Sequence, residues 1–229
     1  MQRIPKIIHQ TYGTRNLPTE LRRTVDTLKA MNSEYTYIFY DDLDIIHFIE
    51  NNYPKDVLTL FNMINPKYGA ARADLFRYLV IYKMGGVYLD IKSCTSIPLR
   101  NIIKKEDSYI LSHWISRDWA DEIGNPKGEY QQWHIIAEAS HIFLSQVLIN
   151  VFNNIANYDI NKDGVGKLAT TKITGPRAYS KSIFSIIDEG HPHRIENTEG
   201  EIGLQYYGTS YNLSNLDIHY SKQTEPLIL

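Results

Sequence analysis

One cysteine, Cys94, stands in 229 residues. An internal disulfide framework is thereby excluded, and a reducing compartment is the expected setting. Long hydrophobic runs are lacking as well. None approaches the roughly 20 residues that span a bilayer, and the opening MQRIPKIIHQ has no charged-then-apolar leader. The expectation is a cytoplasmic location, at most peripheral to a membrane. Charge of one sign is scarce too: 24 Lys and Arg oppose 26 Asp and Glu, so no overall field draws the chain to nucleic acid or to an anionic surface. No G-x-x-x-x-G-K-[ST] loop and no G-x-G-x-x-G turn occurs, which argues against kinases, GTPases and dinucleotide dehydrogenases, and H-E-x-x-H is missing. His191-Pro192-His193 reads as a surface loop, because proline sits between the histidines in a turn-rich stretch. Cys94 has no histidine partner in a local motif and is a poor nucleophile candidate. With 43% hydrophobic residues and no repeat, low-complexity segment or linker, one large domain is expected.

What is present concentrates in AARADLFRYLVIYKMGGVYLDIKSC, Ala70 to Cys94. Leu75, Leu79 and Tyr82, with Phe76 and Val80 beside them, predict a helix over Ala73–Met84 with a broad packing face. Asp74, Arg77 and Tyr78 share another side at i, i+3 and i+4. Gly85 and Gly86 close the helix, since only glycine takes positive φ without penalty. A strand is predicted over Val87–Lys92, with Val87, Leu89 and Ile91 on one face and Tyr88, Asp90 and Lys92 on the other. About 12 helical residues rise roughly 18 Å, and about five strand residues nearly retrace that distance. Asp90 should therefore return level with Asp74, with Arg77 between them. Spacing alone leaves a second reading open, in which Asp74 and Arg77 are a surface ion pair and Asp90 caps a turn.

The rest of the chain supplies the scaffold. Ile4–His9 reads as a buried first strand with Gln10, Thr11, Tyr12 and Gly13 as the loop beyond it, where ligands sit in open α/β sheets. Pro18–Met31 is a helix and Tyr35–Tyr40 a strand. Asp41-Asp42 cap a helix over Leu43–Glu50, and Pro54–Ile64 is another helix. Strands follow at Ser108–Ile115 and Tyr130–Ala137, helices at Ile142–Ile155 and Pro176–Ile187, and short strands and turns from Gly190 onward. Arg117–Gly128 resembles a loop over a site, and His113 and His134 read as core or wall residues. The alternation over the first 95 residues argues for an α/β fold with a mostly parallel sheet and mixed pairing after it. The 17 tyrosines suit half-buried walls and stacking on rings.

IPKIIHQTYG, YTYIFYDD, ARADLFRYLVIYKMGGVYLDIKS and a later TGP stand in an order and spacing that resembles the DXD-motif glycosyltransferases of family 32. That family includes capsular polysaccharide sugar transferases and fungal mannosyltransferases, and its core is shared with the clostridial glucosylating toxins. The resemblance covers the first 95 residues well and the remainder loosely. It implies a GT-A fold in which residues 1–95 hold a nucleotide sugar, UDP-linked ahead of GDP-linked, and residues 96–229 face a glycan or glycoconjugate acceptor. By similarity Tyr12 stacks on the base with Gln10 and Thr11 near it, and Asp74 and Arg77 hold sugar hydroxyls and the diphosphate. Asp90 binds the ribose, the sugar or a metal. Arg72, Tyr78, Gly85, Gly86 and Lys92 complete the donor-side set. Gln132 falls near a family asparagine close to the reacting sugar, although an exposed strand position fits it equally, and Gly175-Pro176 lies near an acceptor-side loop.

The chain departs from the family at one place. The pattern is Asp-x-Asp, and here Asp90-Ile91-Lys92 stands. A hard divalent ion wants carboxylate oxygens, which lysine lacks. Either Mn2+ or Mg2+ is retained through Asp90 and another group, with His219 or Asp217 as candidates, or the Lys92 ammonium neutralises the leaving diphosphate, or Lys92 points to solvent. The leading expectation retains the metal. Two rivals to a transferase stand beside it: a hydrolase using Asp74 and Asp90 as acid and base, which a nearby Arg77 disfavours, and a nucleotide-sugar or glycan-binding module without turnover.

Overall fold

The computed structural model describes residues 2–114, 119–196, 202–206 and 220–229. Short runs of β-branched and aromatic residues form β1 (Ile7–Thr11), β2 (Thr36–Tyr40) and β3 (Gly86–Leu89), paired in parallel in the order β2-β1-β3. Helix α1 (Thr19–Met31) joins β1 to β2, and α2 (Asp42–Asn52), α3 (Lys55–Met63) and α4 (Gly69–Met84) join β2 to β3. Then follow β4 (Cys94–Thr95), α5 (Leu99–Ile102), β5 (Tyr109–Ser112), α6 (Ala120–Ile123), β6 (His134–Ala137) and α7 (Ile142–Ala156). Next come α8 (Ile160–Asp163), α9 (Gly166–Ile173), α10 (Pro176–Phe184), β7 (Arg194–Glu196) and β8 (Leu204–Gln205), with a 3-10 turn at Tyr220–Lys222 after them.

Strand β6 enters antiparallel between β3 and β5, and β7 adds parallel to β5, giving the sheet order β2-β1-β3-β6-β5-β7. The α/β expectation holds, with the mixed pairing confined to the part after β3. Period-two alternation divides the core between the sheet faces. Tyr88, Leu111, Ile135 and Ala137 join the cluster of α4 and α7, while Val87, Leu89, Ile110 and Ile136 join Ile8, Leu28 and Leu99 on the other side.

Several boundaries differ from expectation for identifiable reasons. Strand β1 begins at Ile7, after Pro5, which has no N–H for a ladder, so Gln10 and Thr11 lie within the strand. Strand β3 stops at Leu89, because Ser93 N–H donates to Asp90 O at 2.8 Å and closes a turn. Of Tyr130–Ala137 only the last four residues pair as a strand. Helices α8 and α9 fall in a stretch where no element was expected. Asp41 caps α2 through a capping box with Asp44, whereas Asp42 is the first helical residue. Helix α4 is not one-sided: every residue from Asp74 to Ile81 is buried, since the helix packs against α7, β6, β3 and α2.

Candidate functional site

The parallel pairing of β1 with β3 brings their carboxyl ends together, and the early turns of α4 stand beside them. A cleft of about 730 Å³ opens there. Thr11, Tyr12, Arg72, Asp74, Arg77, Asp90, Lys92 and Gln132 all line it, so the structure joins these sequence-derived candidates. At its floor Arg77 Nη2 lies 3.0 Å from Asp90 Oδ1 and 3.3 Å from Asp74 Oδ1. The surface ion pair is excluded: the Arg77 and Asp74 side chains are each 6% exposed.

Such a buried pair stands only when its remaining polar groups are satisfied. Arg77 Nη1 donates to Gln132 O at 2.9 Å and to Gln132 Oε1 at 2.5 Å, and Nε donates to Ala73 O at 3.3 Å. Gln132 Nε2 donates to Asp74 Oδ1 at 3.0 Å, and Thr174 Oγ1 donates to Asp74 Oδ2 at 3.0 Å. Arg77 Nε and Nη1 thus hydrogen-bond within the protein, and Nη2 is ion-paired with both carboxylates. Arg77 thereby organises two carboxylates at the cleft floor. Burial pushes the Asp74 carboxyl up, against Arg77, Gln132 and Thr174, which pull it down. For Arg77 burial disfavours the charge, but Asp90, then Tyr88 and Asp74, outweigh it and raise the pKa.

The surrounding residues fix this centre. Tyr88 lies under the guanidinium, 4.9 Å from ring centroid to Cζ, and its hydroxyl bridges Thr11 at 3.1 Å and Asp90 at 3.4 Å. Gln10 is behind the cleft wall: Nε2 donates to Asp90 O at 3.1 Å and Oε1 accepts from the Tyr37 hydroxyl at 3.0 Å. Tyr78 lies beneath the floor and donates to Thr174 O at 2.8 Å. Gln132 is buried, not the exposed strand position the sequence also allowed. Gly85 and Gly86 lie at the other end of α4, away from the cleft. Their φ values are +66° and +104°, and a Cβ on Gly86 would stand 2.6 Å from Ile7 O. The close approach of β1 explains Gly86 and that of Pro5 and Ala139 explains Gly85, and the structure does not bring them to the donor side. Asp217 and His219 lie outside the described residues.

Sequence reasoning missed much of the wall. Trp114, Trp119 and Trp133 line the cleft with Tyr206, and no spacing rule connects these positions. Asp42, taken for a cap, lines it too and faces Arg72, which is stacked 4.5 Å over Phe61. Thr174 had a signal in the TGP string, but its bond to Asp74 did not.

The fit of a divalent ion follows from the donor set. Asp90 is engaged by Arg77, and the next family position carries an ammonium instead of a carboxylate. No group of three His, Cys, Asp or Glu occurs among the described residues. The described residues by themselves do not fit a metal, and the other candidate ligands, Asp217 and His219, lie outside them.

Solved structures share the architecture. The chain superposes on the UDP-bound glycosyltransferase domain from the YGT toxin with a TM-score of 0.57 at 10% identity, covering 90% of this chain and 81% of that one. It superposes on the PaToxG glycosyltransferase with a TM-score of 0.55 at 15% identity, covering 81% and 70%. The sheet order and a cleft at the strand ends thus define a GT-A type glycosyltransferase fold. Within that class, residues 18–109 match the model of a family described as "Glycosyltransferase sugar-binding region containing DXD motif", and the chain carries that region. Mannosyl phosphorylinositol ceramide synthase SUR1 of Saccharomyces cerevisiae is 38% identical over 90 residues, 39% of this chain. The matched part spans 23% of that relative's length.

Proposed function

We propose that the chain is a nucleotide-sugar-dependent glycosyltransferase, moving a hexose or pentose from a nucleoside diphosphate sugar to a hydroxyl of a glycan or glycoconjugate. One observation carries the reading: a buried guanidinium holds two carboxylates, Asp74 and Asp90, at the floor of a cleft sized for a sugar nucleotide. In this reading Asp90 accepts hydrogen bonds from sugar or ribose hydroxyls, Asp74 positions Arg77, Gln132 and Thr174 beneath it, and Tyr12 stacks on the base. The UDP named for the solved toxin domain supports UDP ahead of GDP. The mannosyl transfer named for the yeast relative makes mannose one of the first sugars to try. Holding the reactants in register and stabilising the departing diphosphate supply much of the acceleration.

Hydrolysis by the two carboxylates fits less well. Asp74 has the raised pKa a general acid needs, contrary to the sequence-based objection. However, its oxygens are taken by Gln132 and Thr174, and Arg77 Nη2 is ion-paired with both carboxylates, an arrangement unlike an acid and base flanking a glycosidic bond. The test is sugar release or transfer from a panel of UDP- and GDP-sugars. Asp90→Asn should lower the rate at least ~100-fold. Sugar release from a simple glycoside, with no turnover of any nucleotide sugar, overturns the proposal.

A further inference from the structure

We propose that the Lys92 ammonium, and not a divalent ion, is the cation that meets the diphosphate of the donor. The inference rests on the nucleotide-sugar reading and deepens it by naming the group that neutralises the leaving charge. Lys92 occupies the position where the family pattern has its second carboxylate, and the turn after β3 brings Asp90, Ile91 and Lys92 all to the cleft. The side chain is held against the cleft wall: Nζ stands 4.1 Å from the Tyr206 ring centroid, a cation–π distance. Tyr206 is itself braced by Trp133 at 5.2 Å and Trp114 at 5.5 Å, and its carbonyl accepts from the Ser93 hydroxyl at 3.1 Å. Lys92 therefore does not simply extend into solvent.

Two further facts favour the ammonium. Arg77 donates through Nε and Nη1 to Ala73 and Gln132 and is ion-paired through Nη2 with Asp74 and Asp90, so its charge supports the site from the floor. The Asp74 and Asp90 carboxylates offset Arg77, and Lys92 adds beside Asp90 a further positive charge that repels a dication and attracts a diphosphate. In the transfer, the bond from the anomeric carbon to the phosphate oxygen breaks with its electron pair staying on the diphosphate. The acceptor oxygen forms the new bond to that carbon, and the acceptor's proton is released with the nucleoside diphosphate. Lys92 stays protonated throughout and stabilises the charge that develops on the departing oxygen.

The test is calorimetric titration of UDP and GDP into the purified chain, in EDTA and in MnCl2. Wild type should bind its nucleotide in EDTA with a Kd within about threefold of that in manganese, a gap below the weight of one charged hydrogen bond. Lys92→Asp, which restores the family carboxylate, should weaken binding in EDTA roughly ten- to a hundredfold and regain it with manganese. Lys92→Gln should lose the same affinity without manganese rescue, and a thermal melt confirms that each variant is folded. Nucleotide binding by wild type only in the presence of metal, or undiminished binding by folded Lys92→Asp in EDTA, overturns this inference and leaves the transferase reading standing. No nucleotide binding under either condition overturns both.

Discussion

Arg77 donates to one amide side chain and two main-chain carbonyls and is ion-paired with two carboxylates. A lysine has three donors on a point charge and cannot reproduce that fork. Arg77→Lys should therefore lose stability by about 2–4 kcal/mol, since buried acceptors are left unmade, and should lose transfer activity as well. Denaturant titration alongside an activity assay separates the two effects. Asp90 is more exposed, at 23%, and Asp90→Asn keeps an oxygen for Arg77. The expected outcome is a melting point within a few degrees of wild type and a large loss of turnover. A cooperative drop in melting of ten degrees or more would show Asp90 to be a structural member instead.

At the scale of elements, the site depends on backbone approaches that admit no side chain. A Cβ on Gly175 would stand 2.9 Å from Thr171 Cα and 3.0 Å from Thr170 O, so alanine there must push α10 from α9 and carry Thr174 away from Asp74. Gly175→Ala is expected to cost about 2–3 kcal/mol as an overpacking change and to reduce activity through the displaced threonine. Gly86→Ala should cost more, because positive φ adds strain to the clash with Ile7 O. It acts through the β1–β3 pairing rather than through ligand contact. Nucleotide affinity of the folded fraction distinguishes the pair: it should fall in Gly175→Ala and hold in Gly86→Ala.

The whole molecule is expected to weaken in mild acid. His9 and His134 are buried in the sheet, and desolvation lowers them to about 4 and about 3, against an ordinary value of 6.5. Between those values the unfolded chain binds more protons than the native one, so stability is present above pH 6.5 and is lost as pH falls. At pH 5 each histidine accounts for about 2 kcal/mol. Asp74, with its raised folded pKa, works in the opposite sense and gives stability that fades as pH rises. Melting curves at pH 7 and pH 5 should differ by several degrees, and the difference should shrink in His134→Asn. An unchanged difference would assign the acid loss to other groups. Because β6, Gln132 and Thr174 complete the sheet and the site, a fragment of residues 1–109 should not melt cooperatively. A sharp two-state transition for that fragment would contradict this.

The helix with its glycine stop and the strand behind it were legible in residues 70–92, because apolar spacing and glycine chemistry are local. The level return of Asp90 to Asp74 followed from rise per residue, and the α/β class followed from the alternation of elements. The family resemblance was legible for a related reason, since its strings are contiguous. The sequence alone left three matters open: whether Asp74 and Arg77 were a surface pair, whether Gln132 was exposed, and where Lys92 pointed. Each depended on contacts between residues 58 to 114 positions apart: Gln132 with Asp74, Thr174 with Asp74, and Tyr206 with Lys92. Only folding decides such contacts: burial on both sides of α4 turned an ordinary i, i+3 ion pair into the enclosed centre of the cleft.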